Sequence, residues 1–351
     1  MAEYAKPLPR KTKSLCPVCL KIVDAKIYEK NGKVWIEKKC KKHGKFVDLY
    51  WGSYKLYEKA RRYAIDGIEI ENPNIKKKKP ICPKDCGLCK LHKSHTMLAN
   101  IVLTNRCDLR CWYCFFFAEK AGYVYEPSLK EIEEMIKTLV NEKPIAGNAV
   151  QLTGGEPSLR DDIVDIIRLI KSYGIDHVQF NTNGIRLAFD QELAFKLKNA
   201  GVNTLYLSFD GVSKETNPKN HWEVPYTLEN CKKAGIGVVL VPTVIKGVND
   251  KESGRILKFG FKHMDVVRGV NYQPVSCVGL MPKKDVKKYR ITIPDVIEII
   301  EEETEKQVCK EDWFPVPTPH PITKLVEALT GKRHYTFSAH FACGMATYIF
   351  D

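Results

Sequence analysis

No stretch of the 351 residues is apolar for long enough to cross a bilayer as a helix. The start, MAEYAKPLPRKTKSL, lacks the apolar core of a secretory signal. The two absences together make the cytoplasm the expected location. Acid is also scarce, with 42 Asp and Glu against 56 Lys and Arg and a formal net charge of +14. A surface of that sign can attract nucleic acid, anionic lipid or an acidic substrate. Its lysines, however, are spread along the chain, often beside Glu, and the one dense run, Lys76 to Lys79, reads first as a solvated linker. Charge alone selects no partner. A hydrophobic content of 44% indicates a folded protein, and the length allows a sizeable core with appendages.

Cysteine, by contrast, is plentiful. In a reducing compartment the 13 cysteines argue against a disulfide framework, and their clustering argues for metal. Cys231 is the exception, since it sits in a helical stretch, YTLENCKKAG, and reads as a buried free thiol.

Four regions are expected. Residues 1–72 form a small module in which KIYEKNGKVWIEKKC folds as a hairpin about Asn31-Gly32, flanked by cysteines. Residues 73–95 are a Pro-, Lys- and Cys-rich linker. Residues 96–280 alternate strand-like runs (ANIVLT, NAVQLT, HVQFNT, TLYLSF, GVVLVPTVI, VVRGVNYQPV) with amphipathic helices. Gly174 and Gly201 stand where helix C-caps are expected. Six β/α units imply a parallel sheet, either doubly wound or curved into an open barrel. Residues 281–351 hold a helix, PDVIEIIEEETEKQ, a Pro-spaced irregular stretch and a strand-like end, as if the chain continued or the tail joined an existing sheet.

The segment NRCDLRCWYCFF sets Cys107, Cys111 and Cys114 at C-x3-C-x2-C spacing directly after the first of those strands. Three thiolates can hold three irons of a [4Fe–4S] cube and leave the fourth open to a ligand. Structural zinc needs a fourth ligand, and His92 or His95 upstream keeps that alternative open. The next strand ends in TGGEP, Thr153 to Pro157, where two glycines allow close backbone approach and a carboxylate can bind an ammonium group. Both motifs fall at the C-terminal ends of neighbouring strands, where α/β proteins place their sites.

The triad followed by GGEP resembles the radical S-adenosylmethionine (SAM) superfamily over about residues 96–280. The resemblance implies an α/β partial (β/α)6 TIM-type barrel. It implies SAM chelated to the cluster on Cys107, Cys111 and Cys114. Cofactor contacts then fall to Tyr113, Gly154, Gly155, Glu156, Asn181, Asn183 and Ser208, with Asp210 a weaker candidate. For the Asn and Asp residues, ordinary turn chemistry is the alternative. No catalytic side chain is assigned beyond the cluster.

The remaining cysteines extend the metal chemistry. Cys16, Cys19, Cys40 and His43 form C-x2-C, a hairpin and C-x2-H, the pattern of a closed tetrahedral knuckle for one zinc or iron ion. Cys82, Cys86 and Cys89 repeat the C-x3-C-x2-C spacing outside the barrel and suggest an auxiliary [4Fe–4S] cluster. Cys277, Cys309 and Cys343 could complete it or build another, so the C-terminal extension is expected to bind one or two auxiliary clusters in all.

The whole layout, over about residues 10–345, is similar to that of archaeal tetraether lipid synthases, which join saturated lipid tails. That similarity implies an archaeal ether lipid substrate, a reductant such as a ferredoxin, peripheral contact with the inner face of the membrane and no nucleic acid. The apolar run Phe115-Phe116-Phe117 would suit a hydrocarbon, or pack ordinarily behind its loop. The alternative within enzymes is a radical SAM methyltransferase acting on a pterin-like precursor. A metal-cluster electron carrier or nucleic-acid-binding knuckle protein is the alternative outside them.

Overall fold

The computed structural model describes residues 3–118, 120–217 and 222–350. The chain opens with a four-stranded antiparallel sheet, β1 (Arg10–Leu15), β2 (Ile22–Lys30), β3 (Lys33–Cys40) and β4 (Gly44–Trp51), in sequence order. The β2–β3 turn is Asn31-Gly32, both with positive φ (54° and 72°), the twist-matched two-residue hairpin expected of that dipeptide. Helix α1 (Tyr54–Arg61) follows, capped by the Ser53 hydroxyl accepting from Leu56 N.

The next strands and helices build the barrel: β5 (Ala99–Thr104), α2 (Leu129–Val140), β6 (Ala149–Gly154), α3 (Ile163–Ser172), β7 (His177–Thr182), α4 (Ile185–Phe189), α5 (Gln191–Ala200), β8 (Thr204–Ser208), α6 (Val224–Ala234), β9 (Gly237–Val241), β10 (Thr243–Val244), α7 (Ser253–Lys262), β11 (Val267–Val270) and β12 (Gln273–Pro274). All pairings in the six-stranded sheet are parallel, in the order β11-β9-β8-β7-β6-β5. Each new strand adds on the same side. A doubly wound sheet would reverse its order partway, so the arrangement is the curved, partial barrel. The last two strand runs are each interrupted. Pro242 has no N–H to continue β9, and the outer pieces, β10 and β12, pair with one another instead.

Alternation along the strands separates two faces. Ile101, Leu103, Val150, Leu152, Val178, Phe180, Leu205, Leu207, Val238 and Leu240 point outward into one core with the apolar faces of α2 to α7. Cys231 is fully buried in that core, and burial pushes its thiol up to about 12, as suits an inert packing residue. Helix α2 starts in a capping box between Ser128 and Glu131. Gly174 (φ 78°) and Gly201 (φ 118°) take the left-handed backbone that ends α3 and α5.

The C-terminal part holds α8 (Val286–Tyr289), α9 (Ile293–Glu303), β13 (Phe314–Pro315), α10 (His320–Thr330) and β14 (Met345–Ala346). Strand β14 pairs antiparallel with β13, so the strand-like tail joins its own extension. Phe341, from that extension, is fully buried against Tyr57, with Trp51, Leu56 and Ile297 in the same cluster. The N-terminal module and the C-terminal extension therefore share a core. No helix among the described residues is long and apolar enough to cross a membrane.

Candidate functional site

The Cys3His group is the most closely assembled. The ligand atoms of Cys16, Cys19, Cys40 and His43 all lie within 4.8 Å of one another. His43 Nδ1 is 3.6 Å from both Cys16 Sγ and Cys40 Sγ, and Cys19 Sγ is 4.0 Å from Cys40 Sγ. A tetrahedral ion with metal–sulfur bonds of ~2.3 Å places its ligand atoms about 3.8 Å apart, so the set fits a closed mononuclear site. The knuckle is formed by local backbone: Cys16 N donates to Lys21 O at 2.9 Å and Leu20 N to Cys16 O at 3.0 Å. Gly44, with φ 80°, turns the second pair between β3 and β4.

At the C-terminal ends of the barrel strands, a cavity of about 510 Å³ is walled by Cys107, Cys111, Tyr113, Cys114, Gly154, Gly155, Glu156, Asn181, Asn183 and Ser208. The structure thus brings all ten of these sequence-predicted residues to one cavity. Burial pushes the Cys107 thiol up to about 12, so its sulfur is held by a proton or by a metal. Asn181 Oδ1 is buried without a hydrogen-bond partner among the described residues, an acceptor waiting for a ligand donor. A three-thiolate loop beside an unmet acceptor fits a cluster with an open iron and SAM alongside. His95, which left zinc open at the triad, is otherwise engaged: Thr336 N donates to its Nε2 at 2.9 Å, and its Nδ1 lies 3.3 Å from Thr96 O.

The GGEP loop has a second task that spacing alone did not reveal. Gly155 N donates to Thr104 O and Glu156 N to Arg106 O, each at 2.8 Å, which ties this loop to the one carrying the triad. A Cβ on Gly155 would overlap Arg106 O and stand 2.7 Å from the Arg106 carbonyl carbon and 3.1 Å from Cys107 Cβ. A Cβ on Gly154, where φ is 145°, would overlap Thr104 O. The glycines are needed for loop-to-loop contact. The Glu156 carboxylate is fully buried and accepts from Thr182 Oγ1 and Asn183 N, each at 2.7 Å, and from Ser158 N at 3.1 Å. Burial raises its pKa, against the lowering effect of those donors.

Asn183 is equally committed, with its amide donating to Asp108 at 2.6 Å and accepting from Ile185 N at 2.9 Å. It clamps the cluster loop to the end of β7. Tyr113 donates to Asp210, whose other oxygen accepts from Thr243 N at 2.9 Å. Phe115 and Phe117 are exposed, and Phe115 and Phe116 reach the cavity wall.

Sequence patterns missed the strap that packs on the triad loop. Leu280 N donates to Cys114 O at 2.8 Å, and Gly279 (φ 69°), in a turn, packs so closely that a Cβ there would sit 2.5 Å from Phe115 Cα. The glycine in SCVGLMP was the available signal. Inward strand positions were also missed: Asn100, Gln151 and Tyr206 line the cavity floor.

The auxiliary cysteines are placed differently. Cys82 and Cys86 are exposed and Cys89 is buried, in a loop where Asp85 N donates to Ile81 O and Cys86 N to Pro83 O. Cys277 lies on the strap, Cys309 precedes β13 with its thiol donating to Lys306 O at 3.1 Å, and Cys343 precedes β14. The one mononuclear-sized ligand group among the described residues is the Cys3His set.

Residues 101–260 match the model for the radical SAM superfamily, and residues 8–52 that for the HMPTM N-terminal zinc ribbon domain. The chain is 47% identical over 350 residues to 7,8-dihydro-6-hydroxymethylpterin dimethyltransferase of Methanocaldococcus jannaschii, spanning 98% of this chain and 68% of that protein. It is 34% identical over 189 residues to GTP 3′,8-cyclase of Aquifex aeolicus, spanning 51% of this chain and 57% of that one. Among solved structures, HydG, a maturase of the [FeFe]-hydrogenase, aligns over 60% of this chain and 50% of its own with a TM-score of 0.47 and 18% identity.

These relationships correct the substrate expectation. The N-terminal module and nearly the whole chain match a pterin enzyme and its zinc ribbon, so the tetraether lipid synthase identity, the ether lipid substrate and the membrane contact fall. The cavity agrees, because a hydrocarbon tail there would strand the Asn100, Gln151 and Asn181 amides against apolar surface. SAM, the radical SAM [4Fe–4S] cluster and the zinc-ribbon Cys3His site all remain. Bearing both the triad-centred barrel and the ribbon, the chain belongs to the radical SAM superfamily, in the family of its Methanocaldococcus jannaschii relative.

Proposed function

We propose that this chain is a radical SAM methyltransferase acting on a hydroxymethylpterin. The observation that carries the proposal is the 47% identity to the named pterin dimethyltransferase across 98% of the chain. The polar cavity floor supports it independently.

SAM bound with the cluster would supply radical chemistry able to reach a C–H bond that no side-chain base could deprotonate. The protein contributes holding and exclusion. Cys107, Cys111 and Cys114 hold the cluster. Gly154, Gly155 and Glu156 brace the loop beside it, while Tyr113, Asn181, Asn183 and Ser208 shape the cofactor's share of the cavity. Asn181 offers the unpaired acceptor. The strap through Gly279 packs against the loop carrying Cys114 and Phe115 and would limit water beside it.

In the same proposal Cys82, Cys86 and Cys89 hold an auxiliary [4Fe–4S] cluster near the surface, with Cys277, Cys309 and Cys343 the remaining candidates for ligands. The ribbon ion is zinc, which a Cys3His tetrahedron suits. Residues 1–72, 73–95, 96–280 and 281–351 serve as ribbon, cluster linker, catalytic barrel and extension.

The test is anaerobic turnover of the reconstituted chain with SAM, dithionite and 6-hydroxymethyl-7,8-dihydropterin, followed by mass spectrometry. The proposal expects a pterin heavier by one or two methylene units, each formed with one 5′-deoxyadenosine from the SAM that is cleaved and one S-adenosylhomocysteine from a second SAM that gives its methyl group, the electrons coming from dithionite. Release of 5′-deoxyadenosine over an unchanged pterin, from protein with full cluster content, would overturn it.

A further inference from the structure

The inner face of the barrel carries polar side chains that line its cavity, half-buried on β6 and β8 and exposed at Asn100. Outward positions on β6, β7 and β8 are Val150, Leu152, Val178, Phe180, Leu205 and Leu207, all packed under the helices. The alternating inward positions are Gln151 and Thr153, Gln179 and Asn181, and Tyr206 and Ser208. Two layers result. The upper one, at the strand ends, faces the triad and GGEP loops. The lower lies two residues deeper, ~7 Å beneath it at the rise of a β-strand.

Register aligns the lower layer. Asn100 pairs with Gln151, and Gln151 with Gln179, across three neighbouring strands. On the next pair Gln179 faces Thr204, and Tyr206 stands beside Asn181, so register sets Tyr206 one level above Gln151, between the two layers' polar groups. Gln179 is buried, and its amide donates to Gln151 Oε1. That bond fixes the Gln151 carboxamide plane and leaves its –NH2 with no partner among the described residues. The Tyr206 hydroxyl likewise has none. Asn100, Gln151 and Tyr206 all line the cavity of about 510 Å³, with Val102 and Val241 as its apolar sides.

These groups stand on a cavity wall where a ligand can reach them. Barrel interiors are ordinarily packed with Val, Ile and Leu, and polar groups kept there cost desolvation unless a partner meets them. A carboxamide presents a donor and an acceptor in one plane, the complement of a cyclic amide edge with an adjacent amino group. A phenol adds a further donor, and two valines suit the faces of a flat ring.

We infer that Gln151, Asn100 and Tyr206 form the seat of the substrate heterocycle, a flat ring with a lactam edge and an exocyclic amine, and that Gln179 is a positioning residue acting through Gln151. The inference rests on the pterin methyltransferase reading and assigns its substrate subsite. Burial raises the Tyr206 pKa, which keeps the phenol a donor across the working range.

The test is anaerobic equilibrium dialysis of the full reconstituted chain, measuring Kd for 6-hydroxymethyl-7,8-dihydropterin in the presence of SAM, and Kd for SAM in parallel. Tyr206→Phe keeps the ring and removes one hydrogen bond, and is expected to weaken pterin about fivefold relative to SAM. Gln151→Leu removes a paired edge and is expected to weaken it about tenfold or more, with Gln151→Glu recovering part of the loss. Should Gln151→Leu fail to fold, as seen by loss of helical circular dichroism, Tyr206→Phe decides alone. Pterin binding by the wild type that is unchanged in Tyr206→Phe and Gln151→Leu overturns the seat and leaves the methyltransferase reading standing. Equal weakening of pterin and SAM also overturns it. A wild type that takes up no pterin sinks the methyltransferase reading itself.

Discussion

Replacing Gly155 by alanine separates two explanations of the GGEP motif. If the glycine serves only to let backbone approach SAM, an added methyl would weaken SAM and leave the cluster intact. The structure gives a different result. The new Cβ would overlap Arg106 O, 2.7 Å from its carbonyl carbon and 3.1 Å from Cys107 Cβ. Carbon atoms pack comfortably at about 3.5–4.0 Å, so the Arg106–Cys107 backbone must retreat by roughly 0.8 Å or more. Retreat also stretches the 2.8 Å bond from Glu156 N to Arg106 O. Overpacking of this kind costs about 1–3 kcal/mol, and the lost hydrogen bond about another 1 kcal/mol. The strain falls on Cys107, the first of the three cysteines proposed to hold the cluster. Gly155→Ala is therefore expected to lose iron and sulfide from the triad cluster after anaerobic reconstitution, with a weakened low-temperature electron paramagnetic resonance signal after reduction. Zinc in the ribbon should remain. Full cluster content with only a higher SAM Kd would refute the reasoning.

Three further outcomes follow from particular contacts. Gly279→Ala, at φ 69° and 2.5 Å from Phe115 Cα, should loosen the strap and lower cluster retention, measured by iron analysis after gel filtration. His43→Ala should release the ribbon ion and unfold β1 to β4, which zinc analysis and protease cleavage within residues 10–51 would register. His177, at the start of β7, has its pKa lowered by burial and then by Lys171. The unfolded chain therefore takes up this proton more readily, so stability falls as pH drops below about 6.5. His177→Gln should flatten the decline of Tm between about pH 7.5 and 5.5, and an unchanged slope would count against this assignment.

Much of this protein is legible in its sequence where chemistry is local. The ribbon ligands sit in two short pairs across a hairpin whose Asn31-Gly32 turn dictates its own geometry. The barrel strands announce themselves by length and by helices between them. Strand order, not periodicity, distinguishes an open barrel from a doubly wound sheet, because order depends on which edge each new strand joins. The shared core of Phe341, Tyr57 and Trp51 joins residues nearly the whole chain apart, beyond any windowed pattern. The roles of Gly155, Asn183 and Gly279 depend on what stands opposite them, which spacing cannot supply. The lipid expectation rested on the layout of cysteine motifs over about residues 10–345, which carries no information on the cavity lining. The amides that line the cavity, Asn100, Gln151 and Asn181, are about thirty to fifty residues apart and meet only through strand register.

The most direct test of the account is the mass of the pterin recovered after anaerobic turnover with SAM and dithionite. The account predicts a product one or two methylene units heavier, formed in step with 5′-deoxyadenosine and lost when Cys114 is replaced by alanine. A pterin recovered unchanged, while fully loaded enzyme releases 5′-deoxyadenosine, would contradict it.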